Sequence, residues 1–281
     1  MMRGMFAAIS GLKQHQVMLD VTANDIANVN TIGYKSARVT FADSLTQMQR
    51  GASGATTQAG GTNAAQVGLG VSLGSIDNLM TGGARQTTGN PLDVAIEGDG
   101  FFQIGGGSPT GDQSVIQPTA YTRAGNFSVS DQGYLTTQTG EYVLGFHQPQ
   151  AANPDPVAIL IPQGATGIAL DQSGGVSYVD PTTNTRVTPY RLSIATFGNA
   201  AGLERSGGNT WTTSANSGIK TVNTPGVGGA GSTTPGSVEM SNVDLSTTFT
   251  NMITAQRGFQ ANSRVISTAD SMLEELVNLK R

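Results

Sequence analysis

The chain has 281 residues, a net charge of −4, 12% charged residues, 38 glycines and no cysteine. That length allows one to three domains. The weak acidic balance gives no basis for nucleic acid or an anionic membrane as partner, and the lack of cysteine excludes disulfides and thiolate chemistry. Abundant glycine points to turns, bulges and close backbone contacts, and 37% hydrophobic residues suffice for small β domains.

The start, MMRGMFAAISGLKQHQ, carries Arg3 and a short apolar run that Ser10, Gly11 and Lys13 break, with no small-residue cleavage site. No segment approaches the roughly 20 continuous apolar residues of a membrane-spanning helix. The expectation is a chain that is cytosolic or exported without a cleaved signal, and not inserted in a membrane. From about Met5 to Ala27 the pattern is helical. Met5, Ile9, Leu12, Leu19, Ala23 and Ile26, with Gln16 in the one polar slot, recur in steps of four and three. This is the a/d seam of a helix that packs along another helix. Asn28 to Gly33 then brings turn formers and a C-terminal glycine.

Residues 33–70 read as a linker region, with the low-complexity stretch GASGATTQAGGTNAAQ at its centre. Strand patterns begin near Val71, Leu73 and Ile76. Leu92, Val94 and Ile96 alternate with Asp93, Ala95 and Glu97, as in a half-buried strand. A turn at Gly98-Asp99-Gly100 leads into Phe101-Phe102-Gln103-Ile104. Tyr121 to Val129 and Tyr134 to Phe146 read as a hairpin around Asp131-Gln132-Gly133. Residues 147–189 hold six prolines and look like an inserted small lobe. Arg191 to Phe197 is a further strand, and Trp211 is expected to anchor a hydrophobic cluster. Residues 221–243 form a second linker. The last helix, in 244–281, repeats the seam at Leu245, Phe249, Met252, Phe259, Ile266, Leu273 and Leu276, with polar gaps at Gln256 and Ser263.

The fold class is therefore α+β. Terminal segments 1–32 and 244–281 form a discontinuous core of paired, coiled-coil-like helices. Residues 71–146 and 190–220 form a mainly-β outer body. Such seams have no adequate partner within one small chain, so the helices are expected to join copies of it.

Sites of chemistry are scarce. His15 and His147 are the only histidines, one in a helix and one in a turn-rich region, and zinc ligation is not in view. Asp93, Glu97 and Asp99 cluster in sequence, but nothing else supports an acid/base pair. Glu97-Gly98-Asp99-Gly100 lacks the ligand series of a calcium loop. Gly68-Leu69-Gly70 is a poor dinucleotide fingerprint and reads as a bulge or close-packing site. No catalytic, cofactor-binding or metal-binding residue is expected. The rival class, a globular β hydrolase with helical ends, would need a pocket with convergent polar groups.

Three blocks of the chain resemble bacterial flagellar axial proteins of the rod and hook family. The first is Leu19-Asp20-Val21-Thr22-Ala23-Asn24-Asp25-Ile26-Ala27-Asn28 followed by Thr31-Ile32-Gly33-Tyr34-Lys35, similar to the family's LDVxxNNIANxxTxGFK. Asp25 stands where Asn is usual and Tyr34 where Phe is usual. Asn24, Ile26, Ala27, Asn28, Gly33, Tyr34 and Lys35 carry the match. The second block is GNPLDVAIEGDGFFQI, and the third is the C-terminal helix. Residues 147–189 show no match.

The resemblance implies a structural protein of the flagellum, not an enzyme, that binds no cofactor. It implies a tubular homopolymer with the helices lining the inner tube, other axial proteins as neighbours (distal rod, hook cap, hook–filament junction), and type III export through the flagellar apparatus to the hook or basal body. Phe41-Ala42-Asp43 and the ending Glu275 to Arg281 favour the hook, a flexible joint carrying torque in motility. The length favours the alternative, the distal rod. The hook is the main expectation.

Overall fold

The computed structural model describes residues 2–55, 60–109, 111, 114–148 and 155–279. The chain is α+β, with a helix near each end and a mostly β middle. It forms two compact units, one of residues 1–27, 37–77 and 244–281, the other of residues 28–36 and 78–243.

In the first unit, helix α1 (Met2–Ala27) packs along helix α2 (Leu245–Asn278). Asp244 starts α2. Its carboxylate accepts hydrogen bonds from the backbone N–H of Ser246 (2.9 Å) and Thr247 (3.5 Å) and from the Thr247 hydroxyl (2.7 Å). The two N–H groups are donors that the first turn of a helix leaves without intrahelical partners. At the other end of α1, buried Asp25 accepts from the backbone N–H of Ala37 (3.3 Å to either oxygen). Strand β1 (Ala37–Asp43) packs on α1 and, after strands β2 (Thr46–Arg50) and β3 (Ala65–Gly68), pairs with β4 (Val71–Asn78). Gly70 supplies the close packing expected of Gly68-Leu69-Gly70. A Cβ there would fall 2.3 Å from the Ser10 hydroxyl, which accepts from the Val71 N–H (3.2 Å).

Much of the expected linker 33–70 is therefore β structure. Strands β2 and β3 form an antiparallel ribbon, with Thr46 opposite Gly68 and Met48 opposite Gln66, and Ser53 bridges Thr62. Polar Thr and Gln side chains hide this ribbon from a hydrophobic-pattern reading, because both its faces lack an apolar alternation. The centre of the low-complexity stretch, residues 56–59, lies outside the described residues.

The second unit is built on one large, mostly antiparallel sheet. After β5 (Arg85–Thr87) and β6 (Val94–Glu97), its central strands are β7 (Phe101–Gly105) and β8 (Ala120–Thr122). Strand β7 lies between β8 and Tyr142–His147, which pairs onward with Arg186–Leu192. The core gathers Phe102, Phe127, Leu135, Val143, Ile159, Leu192 and Ile194, all almost wholly buried. A second cluster packs Phe101, Tyr121, Ala195 and Leu203 around Trp211.

Four expectations for this unit change. Strand β6 is buried on both faces from Val94 to Ile96 rather than half-buried: Val94 and Ile96 join the core and Ala95, on the opposite face, is fully covered. Ser232–Pro235 pairs with its edge, and Thr88 and Asn90 hydrogen-bond the carboxylate of the preceding Asp93 (2.6 and 3.0 Å). The long hairpin is divided: Ser128–Val129 pairs with Leu135–Thr136 around the turn, while β8 pairs with β7 and Thr210–Thr212. The segment 147–189 is not a separate lobe. Its strands Thr166–Leu170 and Gly175–Val179 extend the same sheet, and Val157, Ile159, Leu170 and Val176 join the same core. Residues 149–154 of that segment lie outside the described residues. The second linker, 221–243, likewise contributes strands Ser232–Pro235 and Ser237–Glu239, paired with β6 and β5. Their partners are more than a hundred residues away in sequence, which no local pattern records.

Candidate functional site

Within the helix pair, the fully buried positions are small or polar: Ala8, Gly11, Thr22 and Asp25 on α1, Ala255 and Ala269 on α2. The helices meet closely at two glycines. A Cβ on Gly11 would lie 2.7 Å from the Asn262 amide nitrogen, and one on Gly258 would lie 2.4 Å from Nε2 of His15. The His15 ring also meets Phe41 edge-on at 5.8 Å. These contacts keep the seam's rhythm but sit one residue before it: Ala8 beside Ile9, Gly11 beside Leu12, Thr22 beside Ala23, Ala255 beside Gln256, Gly258 beside Phe259. One residue is about 100° around a helix.

The bulky seam residues consequently face sideways from the intrachain contact. Met5, Leu12, Leu19, Ile26, Met252, Phe259, Ile266 and Leu273 are half-buried, while Ile9, Ala23, Leu245, Phe249 and Leu276 are exposed. Phe6, at 61% exposure, Ile253 and Val265 widen the apolar surface beyond the expected set. Each helix thus carries large apolar side chains that its partner within the chain leaves partly or wholly exposed.

The motif residues divide between the units: Asn24, Ile26 and Ala27 lie on α1, and Asn28, Gly33, Tyr34 and Lys35 belong to the second unit. Asn24 and Ala27 are exposed and Asn28 is half-buried, but Gly33, Tyr34 and Lys35 are buried in the second unit. Gly33 adopts a left-handed φ of 70°, and a Cβ would fall 2.6 Å from the backbone nitrogen of Ala124. Only glycine fits that conformation and that space. Lys35 Nζ donates to Glu239 Oε1 (2.6 Å) and to the Thr81 carbonyl (2.8 Å). Arg123 donates to the other Glu239 oxygen (3.2 Å) and to the Gly98 carbonyl (2.8 Å), with its guanidinium 5.2 Å from the Phe101 ring centre. The Gly83 N–H completes the shell of Glu239 (2.9 Å).

Lys35, Glu239 and Arg123 are 1, 2 and 3% exposed. Burial pushes the Lys35 ammonium below its usual pKa, the Glu239 carboxylate opposes that shift, and Arg123 adds to it. Sequence reasoning singled out Lys35 but not Glu239 or Arg123. The pair is 204 residues apart, and a charged residue in a glycine-rich segment reads as solvated.

The remaining carboxylates hold structure. Glu97 pairs with Arg85 (2.8 Å), and Asp93 is held by Thr88 and Asn90. His147 ends a strand, edge-on to Tyr190. A cleft of about 230 Å³ in the second unit is lined by Asn30, Thr31, Ile104, Thr122, Thr137 and Asn209 among others, with no titratable side chain. Among the described residues no group of His, Asp or Glu has a metal-binding arrangement, and no helix is long and apolar enough to cross a membrane.

Comparison with known proteins agrees with the three blocks. A family described as "Flagella basal body rod protein" matches residues 5–35, "Flagellar hook protein FlgE/F/G D1 domain" matches 95–178, and "Flagellar basal body rod FlgEFG protein C-terminal" matches 234–279. The middle match runs well into 147–189, where the sequence alone showed none. The chain is 46% identical to the flagellar basal-body rod protein FlgG of Bacillus subtilis, over all of both chains. It is 38% identical to FlgG of Caulobacter vibrioides, covering 99% of this chain and 100% of that one. It is 27% identical to the flagellar hook protein FlgE of Treponema pallidum, covering all of both chains in an alignment of 464 residues.

Proposed function

Because the chain belongs to the flagellar rod and hook family, we propose that it is a basal-body rod subunit, distal in the rod, that polymerises through its helix pair. It is a structural axial protein and not an enzyme; its relatives are rod and hook proteins. The observation that carries the rod reading is the 46% identity to a rod protein over the full length of both chains. The hook relative needs 464 aligned residues against the 281 of this chain, so it carries long segments without counterpart here. This reverses the preference drawn from Phe41-Ala42-Asp43 and the C-terminal ending. Length, which pointed to the rod, is the better guide.

In this reading, the half-buried and exposed seam residues of one subunit meet those of its neighbours. Contacts between unlike faces propagate without closing and give an open helical polymer. The neighbours at its ends are other axial proteins, and the subunit reaches its place as an unfolded chain through the flagellar type III export route. The second unit forms the outer body. The hook remains the second reading, since hook proteins also align along the whole chain.

The test is complementation. In a host lacking its rod protein, this chain is expected to restore rods visible in isolated basal bodies, and in a host lacking its hook protein it is expected to restore nothing. Hooks without restored rods would overturn the assignment.

A further inference from the structure

The chain passes between the two units after Ala27, Ser36, Asp77 and Val243. On the second unit's side, the residues at those passages share one hydrogen-bonded cluster. The Gly33 N–H donates to the Glu239 carbonyl (2.7 Å), and the Ser36 N–H to the Asn242 side chain (2.7 Å). The Leu79 N–H donates to the Ser36 carbonyl (2.8 Å), and the Asn242 amide to the carbonyls of Leu79 and Thr81 (2.8 and 3.2 Å). Beneath them Lys35, Glu239 and Arg123 form the buried charge cluster, and Arg123 ties it to the sheet through Gly98 and Phe101.

We propose that this cluster is a mechanical anchorage: it fastens every segment of chain leaving the second unit to the sheet, so force arriving along any of them reaches that unit as a whole. The proposal rests on the reading of the chain as a torque-carrying axial subunit. The chemistry suits the task. Apolar contacts let surfaces slide, whereas one carboxylate holding Lys35 Nζ, Arg123 Nη1 and the Gly83 N–H is fixed in direction. A buried ion cluster adds little net stability over apolar residues of the same volume, but it can specify one arrangement. Three opposite and like charges more than 95% buried are therefore better explained by geometry held than by stability gained.

Two variants of the full chain test this. In Glu239→Gln the amides of Gly33, Ser36, Leu79 and Gly83 are expected to exchange with solvent faster by about a hundredfold or more, all by the same factor, while Leu135 and Ile159 in the core keep their protection. Unequal or absent acceleration overturns a single anchorage. In the triple variant K35M, R123M and E239L, the thermal midpoint is expected to stay near that of the unaltered chain. Expressed in a host lacking its rod protein, this variant is expected to assemble rods yet lose swimming speed disproportionately as the medium is made more viscous. Normal swimming under load overturns the proposal. If the unaltered chain itself restores no rods, the rod reading fails, and the exchange result still decides whether the cluster acts as one anchor.

Discussion

The two units solve the problem of apolar surface in opposite ways. The second unit buries its large side chains: Phe102, Leu135, Tyr190, Leu192 and Ile194 are at most 2% exposed. Among the described residues of the first unit, the only buried apolar ones are Ala8, Ala255 and Ala269, while Phe6, Ile9, Leu45, Met48, Phe249, Ile253 and Leu276 stand exposed. On the proposed function, the second unit is complete within one chain and the first is completed by neighbouring copies. Exposed apolar surface of that extent stabilises association at roughly 25 cal/mol per Å² buried.

The strongest way to break this comparison is to remove the unfinished part. A chain of residues 28–243 keeps the whole second unit and loses both helices. It is expected to be a soluble monomer with β-type circular dichroism and a cooperative thermal transition, with no polymer at any concentration. An unfolded fragment would show that the second unit depends on the helices. The next largest effect comes from a single charge on the apolar surface. Ile9→Asp or Phe249→Asp changes a side chain already exposed in the monomer, so thermal stability should barely move. In the polymer the carboxylate would be buried without a partner, at a cost of about 3 kcal/mol or more per contact. The critical concentration for assembly should then rise more than about a hundredfold. A destabilised monomer would instead mean that these residues pack within the chain.

A smaller effect probes the intrachain contact. Gly258→Leu places carbon where His15 already stands. Overpacking of that kind costs about 1–3 kcal/mol. Melting of the helical signal should shift to lower temperature while the β signal of the second unit keeps its midpoint. A shared shift would show that the two units melt as one.

How far the sequence reveals this molecule follows from where the signals lie. The seam rhythm was legible because Leu12, Leu19, Phe259 and Ile266 are large and apolar. Its displacement was not, because Gly11 and Gly258 make the close contact through their lack of a side chain, and hydropathy scores glycine near zero. Apolar periodicity located a face of each helix that stays partly exposed, rather than the face nearest its partner. In the second unit, β7 and Tyr142–His147 announced themselves by runs of large apolar residues. Ser232–Pro235 did not, since it is a strand only because Val94–Glu97 lies beside it. The Lys35–Glu239 pair belongs to the same class: two ordinary charges made special by distant chain segments. The Asp244 cap, by contrast, was within reach, as Asp-Leu-Ser-Thr before a helical pattern carries the side-chain acceptor an N-cap needs.

That cap gives the smallest expected effect and the most local one. The Thr247 hydroxyl, with the N–H groups of Ser246 and Thr247, holds the Asp244 carboxyl below the usual carboxylate range. A carboxyl whose pKa is lower in the folded state than in the unfolded chain stabilises the fold while ionised. Its contribution is fully present above the unfolded value, about 3.9, and fades as pH falls through the lower folded value. The first turn of α2 should therefore fray in acid, seen as faster exchange of the Ser246 and Thr247 amides relative to their neutral-pH protection. Asp244→Ala should give that fraying at neutral pH and remove its pH dependence. Asp244→Ser, which keeps a capping oxygen without a titrating group, should restore protection at both pH values. If the serine variant frays like the alanine one, the charge beside the helix N-terminus rather than the hydrogen bonds starts α2. If neither variant changes exchange, the first turn is held by its packing and the cap is incidental.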